Sequence, residues 1–110
     1  MLESSLEVTV GDEVRLRFTV VNASDEAVEL TFRDSGRADF AVYTEDGDRE
    51  VWRWSDGRMF MQSIQYSDLQ PGQEATFTES WLDPEPGDYT AEATLRAVEH
   101  DVVSRTPFSV

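Results

Sequence analysis

Apolar residues recur at every second position along most of the chain, which is the spacing of strands with one buried face rather than of helices. Leu6, Val8 and Val10 alternate with Glu7 and Thr9. Beyond a Gly11-Asp12 turn, Val14, Leu16, Phe18 and Val20 alternate with Arg15, Arg17 and Thr19, until Asn22-Ala23-Ser24-Asp25 breaks the run. Val28, Leu30 and Phe32 repeat the pattern, and Asp34-Ser35-Gly36 interrupts it again. Phe40-Ala41-Val42-Tyr43 reads as the next strand, and Glu45-Asp46-Gly47-Asp48 as a hairpin turn into residues 50–54. Later strands are predicted over 75–81, 89–96 and near 106–110. About eight or nine short antiparallel strands, with turn signals at sandwich-like intervals, predict an all-β immunoglobulin-like β-sandwich.

A local signature supports that class. In Glu85-Pro86-Gly87-Asp88-Tyr89-Thr90-Ala91 the acid, glycine and tyrosine stand at the spacing of an immunoglobulin tyrosine corner, with Ala91 where antibody domains carry cysteine. Tyr89 should be buried, with its hydroxyl bonded to nearby backbone. The alternating apolar set, joined by Trp81, Ala93, Leu95 and Phe108, is the predicted core. At 110 residues roughly two-thirds of the unfolded chain's surface is buried on folding, enough for one core and not two. A single domain spanning 1–110 is expected, without disulfide because there is no cysteine.

Charge narrows the partners. Twenty-three acidic residues stand against nine basic ones, a net charge of −14. Phosphate binding needs a basic surface, so nucleic acid and anionic membrane are excluded as partners. No segment approaches the ~20 apolar residues of a membrane-crossing helix. The acidic N-terminus lacks the basic flank and apolar stretch of a signal peptide, which predicts a cytoplasmic location. All nine basic residues are arginine. A lysine-free acidic surface fits a halophilic protein working in molar salt, where the Debye length is about 3 Å and carboxylate repulsion is screened. Raising salt from about 0.1 M to molar levels should then raise Tm. A Tm indifferent to salt would make the charge incidental.

The residue patterns of catalysis and metal binding are weak. His100 is the only histidine and lies in an acidic turn, with no Gly-x-Ser-x-Gly elbow to accompany it. Asp34-Ser35-Gly36 matches the tripeptide of retroviral-type aspartic proteases, but that chemistry needs two such aspartates sharing a proton and a glycine-rich flap, and the flap is missing. Asp46-Gly47-Asp48 is spaced wrongly for an EF-hand. No catalytic residue, metal site or cofactor is assigned. Asn22-Ala23-Ser24 fits the glycosylation pattern and is read as a turn.

Residues 51–62, Val-Trp-Arg-Trp-Ser-Asp-Gly-Arg-Met-Phe-Met-Gln, are different. They concentrate Trp, Met, Phe and Arg, the types enriched at interface hot spots. Strand alternation cannot bury all of them. With Phe60 as the inward anchor, Trp54, Arg58, Met59 and Met61 become the candidate partner-binding residues, projected by a turn in which Gly57 takes positive φ.

The chain resembles the intracellular proteinase inhibitor (BsuPI) family from about Val14 onward. The resemblance is carried by Phe18 with Asn22-Ala23-Ser24, Phe32 with Ser35-Gly36 and Asp39-Phe40, and Val51-Trp52-Arg53-Trp54-Ser55 with Met59-Phe60 and Gln62. Leu69-Gln70-Pro71-Gly72-Gln73-Glu74, Trp81 and Pro86-Gly87-Asp88-Tyr89 complete it. The resemblance implies an immunoglobulin-like sandwich that binds and inhibits intracellular serine proteases of the subtilisin type, without catalysis or cofactor. The expectation is a monomeric, non-catalytic protein-binding domain. Its alternative is a non-inhibitory immunoglobulin-like interaction or scaffold module.

Overall fold

The computed structural model describes residues 1–110 and contains nine strands and no helix. They are β1 (Leu2–Val10), β2 (Val14–Asn22), β3 (Val28–Phe32), β4 (Ala38–Thr44), β5 (Glu50–Arg53), β6 (Gln65–Leu69), β7 (Glu74–Trp81), β8 (Asp88–Leu95) and β9 (Val103–Ser109). One antiparallel sheet has the order β1-β2-β7 and the other β5-β4-β8-β9, while β3 and β6 form a separate ribbon at one end. The two larger sheets face each other as an immunoglobulin-like sandwich. No helix is long and apolar enough to cross a membrane.

Register explains the core. β2 pairs with β1 on one side and β7 on the other, so Leu6, Phe18 and Phe77 share one inward row, as do Leu16 with Val8 and Val14 with Trp81. Phe18 meets Phe40 of the opposite sheet edge-on, with ring centroids 6.4 Å apart. Val14, Leu16, Phe18, Val20, Val42, Ala91 and Ala93 are wholly buried. Ala91 thus fills the position of the antibody cysteine with a side chain small enough for the sheets to close without a bridge. At the end of the sandwich where β8 begins, Trp52 stacks on Trp81 at 6.3 Å, and Tyr89 and Phe108 pack around the same indole.

Three expectations are corrected. Tyr89 does make the corner bond, its hydroxyl donating to the Glu85 carbonyl at 2.8 Å, but the residue is half-buried rather than buried. Val10 is 43% exposed because it closes the β1–β2 hairpin beyond the edge of the facing sheet. β6 was not anticipated from periodicity. Its inward positions hold Gln65 and Ser67, and only Leu69 is buried, so pairing with β3 rather than apolar alternation makes it a strand.

The Asn22-Ala23-Ser24 triplet proves structural. Asn22 has no exposed surface, and its amide nitrogen donates to the carbonyls of Glu26 and Leu69, both at 2.8 Å. A buried amide with both protons committed holds the turn and accepts no sugar.

Candidate functional site

The sequence from 54 to 64 crosses from β5 to β6 and begins as a turn. Asp56 and Arg58 N–H groups donate to the carbonyls of Arg53 and Ser55, and Gly57 takes φ +75°, the left-handed conformation expected of it. Asp39 anchors this turn. Its carboxylate accepts from Arg53 Nη1 at 2.9 Å, from Ser55 Oγ at 2.7 Å and from the Ser55 N–H at 3.2 Å. Burial opposes the charge of Arg53, but hydrogen bonds to Glu50 and Asp39 outweigh it and hold its pKa above the ordinary guanidinium value. Tyr43, which accepts from Arg53 Nη2 at 2.9 Å, has its pKa raised by burial and by the nearby Glu92 charge.

Beyond the turn, flat groups stack. The Arg58 guanidinium lies 4.4 Å over the Trp54 ring, Trp54 packs on Phe60 at 5.9 Å, and the Arg96 guanidinium lies 4.6 Å over Phe60. Each cation–π contact at such a site contributes about 0.5–1 kcal/mol. Arg58 Nε also donates to the Trp54 carbonyl at 2.8 Å, and Arg96 Nη2 donates to Asp34 at 3.0 Å. Asp34 accepts from the Gly36 N–H with its other oxygen. A Cβ at position 36 would stand 3.0 Å from the Arg96 guanidinium carbon, so any larger residue there would press on the Arg96–Asp34 pair. Ser35 then brackets the loop: its N–H donates to the Met61 carbonyl and its hydroxyl accepts the Met61 N–H.

The four candidates therefore separate by environment. Met59 is 98% exposed and Met61 is 73% exposed, while Arg58 is exposed and Trp54 half-buried inside the stack. Phe60 is not the core anchor that alternation suggested. It is half-buried and packs on Trp54 and Arg96 outside the main cluster, because residues 58–64 form no strand and inward–outward alternation lapses. Phe60→Ala should therefore cost less than the roughly 3–5 kcal/mol typical of a core aromatic. Sequence reasoning missed Arg96, Ser35 and the structural use of Asp34, which lie far away in the chain. It also missed Ile64 and Tyr66, exposed at 62% and 70%, which extend the apolar strip begun by the methionines.

Asp34, whose tripeptide matched that of aspartic proteases, is ion-paired with Arg96 at 3.0 Å. No group of three or more His, Cys, Asp or Glu side chains could hold a metal ion.

The profile of a family described as intracellular proteinase inhibitor, BsuPI, matches residues 2–100. No curated protein matches significantly. Among solved structures, the chain is similar over its whole length to a part of the Kluyveromyces marxianus β-glucosidase, solved in complex with glucose, at TM-score 0.55 and 15% identity. It spans only 14% of that enzyme. The CARDB domain of a Pyrococcus furiosus protein, solved with di-metal ions, is similar at TM-score 0.55 and 17% identity, with all of this chain and 92% of that one covered. A β-glucosidase of Erythrobacter marinus matches at TM-score 0.52 and 16% identity, over 99% of this chain and 15% of its own. Likeness at such identity concerns the sandwich alone.

Proposed function

Because the chain belongs to the intracellular proteinase inhibitor family, we propose that it is a non-catalytic protein-binding domain that blocks an intracellular serine protease of the subtilisin type. Met59 and Met61 enter the protease cleft, Arg58 flanks them, and Trp54 holds the loop in shape. The observation that carries this reading is a nearly fully exposed Met59 on a segment whose neighbours on both sides are pinned, by the Arg58–Trp54–Phe60–Arg96 stack and by the Ser35–Met61 bracket. A loop ordered before binding avoids much of the entropy loss that association otherwise costs, which is how inhibitors gain affinity from a small contact. The family's description as intracellular supports a cytoplasmic setting.

The test is inhibition of a purified intracellular subtilisin-type protease by the parent and by loop variants. Met59→Ala and Arg58→Ala should each weaken inhibition by about 2 kcal/mol, as hot-spot truncations do. The stability of Met59→Ala should stay within about 0.5 kcal/mol of the parent, as for other surface changes, whereas Arg58→Ala should also lose the roughly 0.5–1 kcal/mol of its contact with Trp54. If both variants inhibit as tightly as the parent, the interface lies elsewhere. Ile64 and Tyr66 are also exposed, at 62% and 70%, and apolar surface beyond the two methionines favours a second reading as a non-inhibitory interaction module. Binding that leaves the protease fully active would select it.

A further inference from the structure

The sandwich is open along the side between β5 and β7. β7 pairs with β2 alone, and no loop or turn backbone hydrogen bond reaches residues 74–81, so its outer N–H and C=O groups are unpaired. An unpaired edge is a template for another strand unless something blunts it. The β9 edge carries Pro107 and lies alongside β1, whereas β7 has no proline. What it has is a carboxylate on the wrong face. The inward positions of β7 are Ala75, Phe77, Glu79 and Trp81, opposite Val20, Phe18, Leu16 and Val14. Glu79 thus shares a face with Leu16, which is wholly buried, yet Glu79 makes no ion pair.

Glu79 opens onto a groove of about 270 Å³ walled by Phe77, Phe40 and Trp54. Arg37 also borders the groove, but its guanidinium is held 5.0 Å over Phe32 and bonded to Gln65 at 2.7 Å, so it does not neutralise Glu79. The space lies just below the ~300–1,000 Å³ of pockets for whole ligands and suits one long side chain.

We propose that the β7 edge and this groove bind an extended polypeptide segment carrying an arginine or lysine side chain. The segment adds a strand to β7 through main-chain hydrogen bonds, and its cation enters the groove to meet Glu79 beside Phe77. Selectivity follows from the same carboxylate. A strand laid along β7 removes Glu79 from water, which is unfavourable unless a cation is supplied in the same step. A charge-assisted hydrogen bond to guanidinium or ammonium supplies it. Pairing of β7 with the β7 edge of a second copy is rejected on the same ground, because β7 carries Glu74 and Glu79 and no basic residue. The groove shares Trp54 with the base of the methionine loop, but the β7 edge and Glu79 lie outside that loop, and the proposal does not depend on the inhibitory reading.

The experiment is an NMR amide-shift titration of the full chain with blocked pentapeptides of sequence Thr-Val-Arg-Val-Thr. Controls carry Gln in place of Arg, or N-methyl groups on alternate amides. The Arg peptide should shift the amides of residues 74–81 and the Trp54 indole, and bind about tenfold more tightly than the Gln peptide or the N-methylated one. The Glu79→Gln variant should fold as the parent does, since Glu79 has no partner to lose, and should abolish the preference for Arg over Gln. Equal binding of the Arg and Gln peptides by the parent overturns the proposal. So do shifts confined to β9 or to residues 58–64, and so does an absence of any shift up to about 5 mM peptide. None of these outcomes alters the protease assay of Met59→Ala, so the two readings fail separately.

Discussion

Phe18→Ala should lower the stability of the domain by about 3–5 kcal/mol, the range for a large buried aromatic whose cavity cannot collapse. Phe18 lies in the middle strand of its sheet, with Leu6 of β1 and Phe77 of β7 as cross-strand neighbours. Its ring meets Phe40 of the opposite sheet at 6.4 Å and Phe77 at 6.2 Å, and none of its surface is exposed. Relaxation into the void would have to come from Leu6, Phe40 and Phe77 together. Each is held by the register of its own strand, so little of the void closes. In a domain of this size the loss corresponds to a fall in Tm of roughly 15 °C or more. Urea denaturation should show the midpoint moving down with an unchanged slope. A loss below about 1 kcal/mol would mean that the two sheets do not meet through this ring.

Asn22→Ala should cost about 2–4 kcal/mol, and Asn22→Asp more at neutral pH, because in each case the buried Leu69 carbonyl and the part-buried Glu26 carbonyl lose their donor. The Asn22 amide nitrogen satisfies the carbonyls of Glu26 and Leu69, while its oxygen accepts from the Ser24 N–H at 3.0 Å and the Ser24 hydroxyl at 2.7 Å. Its backbone adds bonds with Gln73 and Gly72. One residue therefore joins the end of β2, the turn into β3 and the connection between β6 and β7. An aspartate in its place directs a carboxylate at two carbonyl oxygens, so the folded state favours the protonated acid and raises its pKa above the unfolded value of about 3.9. The folded form then binds more protons than the unfolded one, and stability falls as pH rises through that window. Urea midpoints at pH 7 and near pH 4 should show the Asp variant recovering toward the parent at the lower pH. An Asp variant as stable as the parent at pH 7 would show that the bonds to Glu26 and Leu69 are dispensable.

Leu6, Leu16, Phe18 and Val20 could be assigned to the core from alternation alone, because a strand's side chains point to opposite faces with a period that does not depend on what the strand packs against. The same holds for the tyrosine corner, where Gly87 and the Tyr89 hydroxyl are two residues apart and the bond to Glu85 is local. Gly57 was legible for a similar reason: positive φ in a short turn is a property of the residue and its immediate neighbours. Composition named the candidate loop, since no strand pattern could bury Trp54, Met59, Phe60 and Met61 together. What alternation could not supply was anything decided by partners distant in sequence. β6 is a strand because β3 offers it an edge, although Gln65 and Ser67 give no apolar signal. Phe60 sits in a stack with Arg96 rather than in the core, because Asp34 and Gly36 place that guanidinium where the ring can lie on it. Asn22 looked like one more turn asparagine until Leu69 and Gln73 were brought against it. Glu79 carries no distinguishing signal in the sequence, and only the β2–β7 register turns its carboxylate inward. Local geometry repeats along a chain and can be read from it, whereas ion pairs, stacks and inward charges depend on which strands meet, and that is settled only when the sheets close.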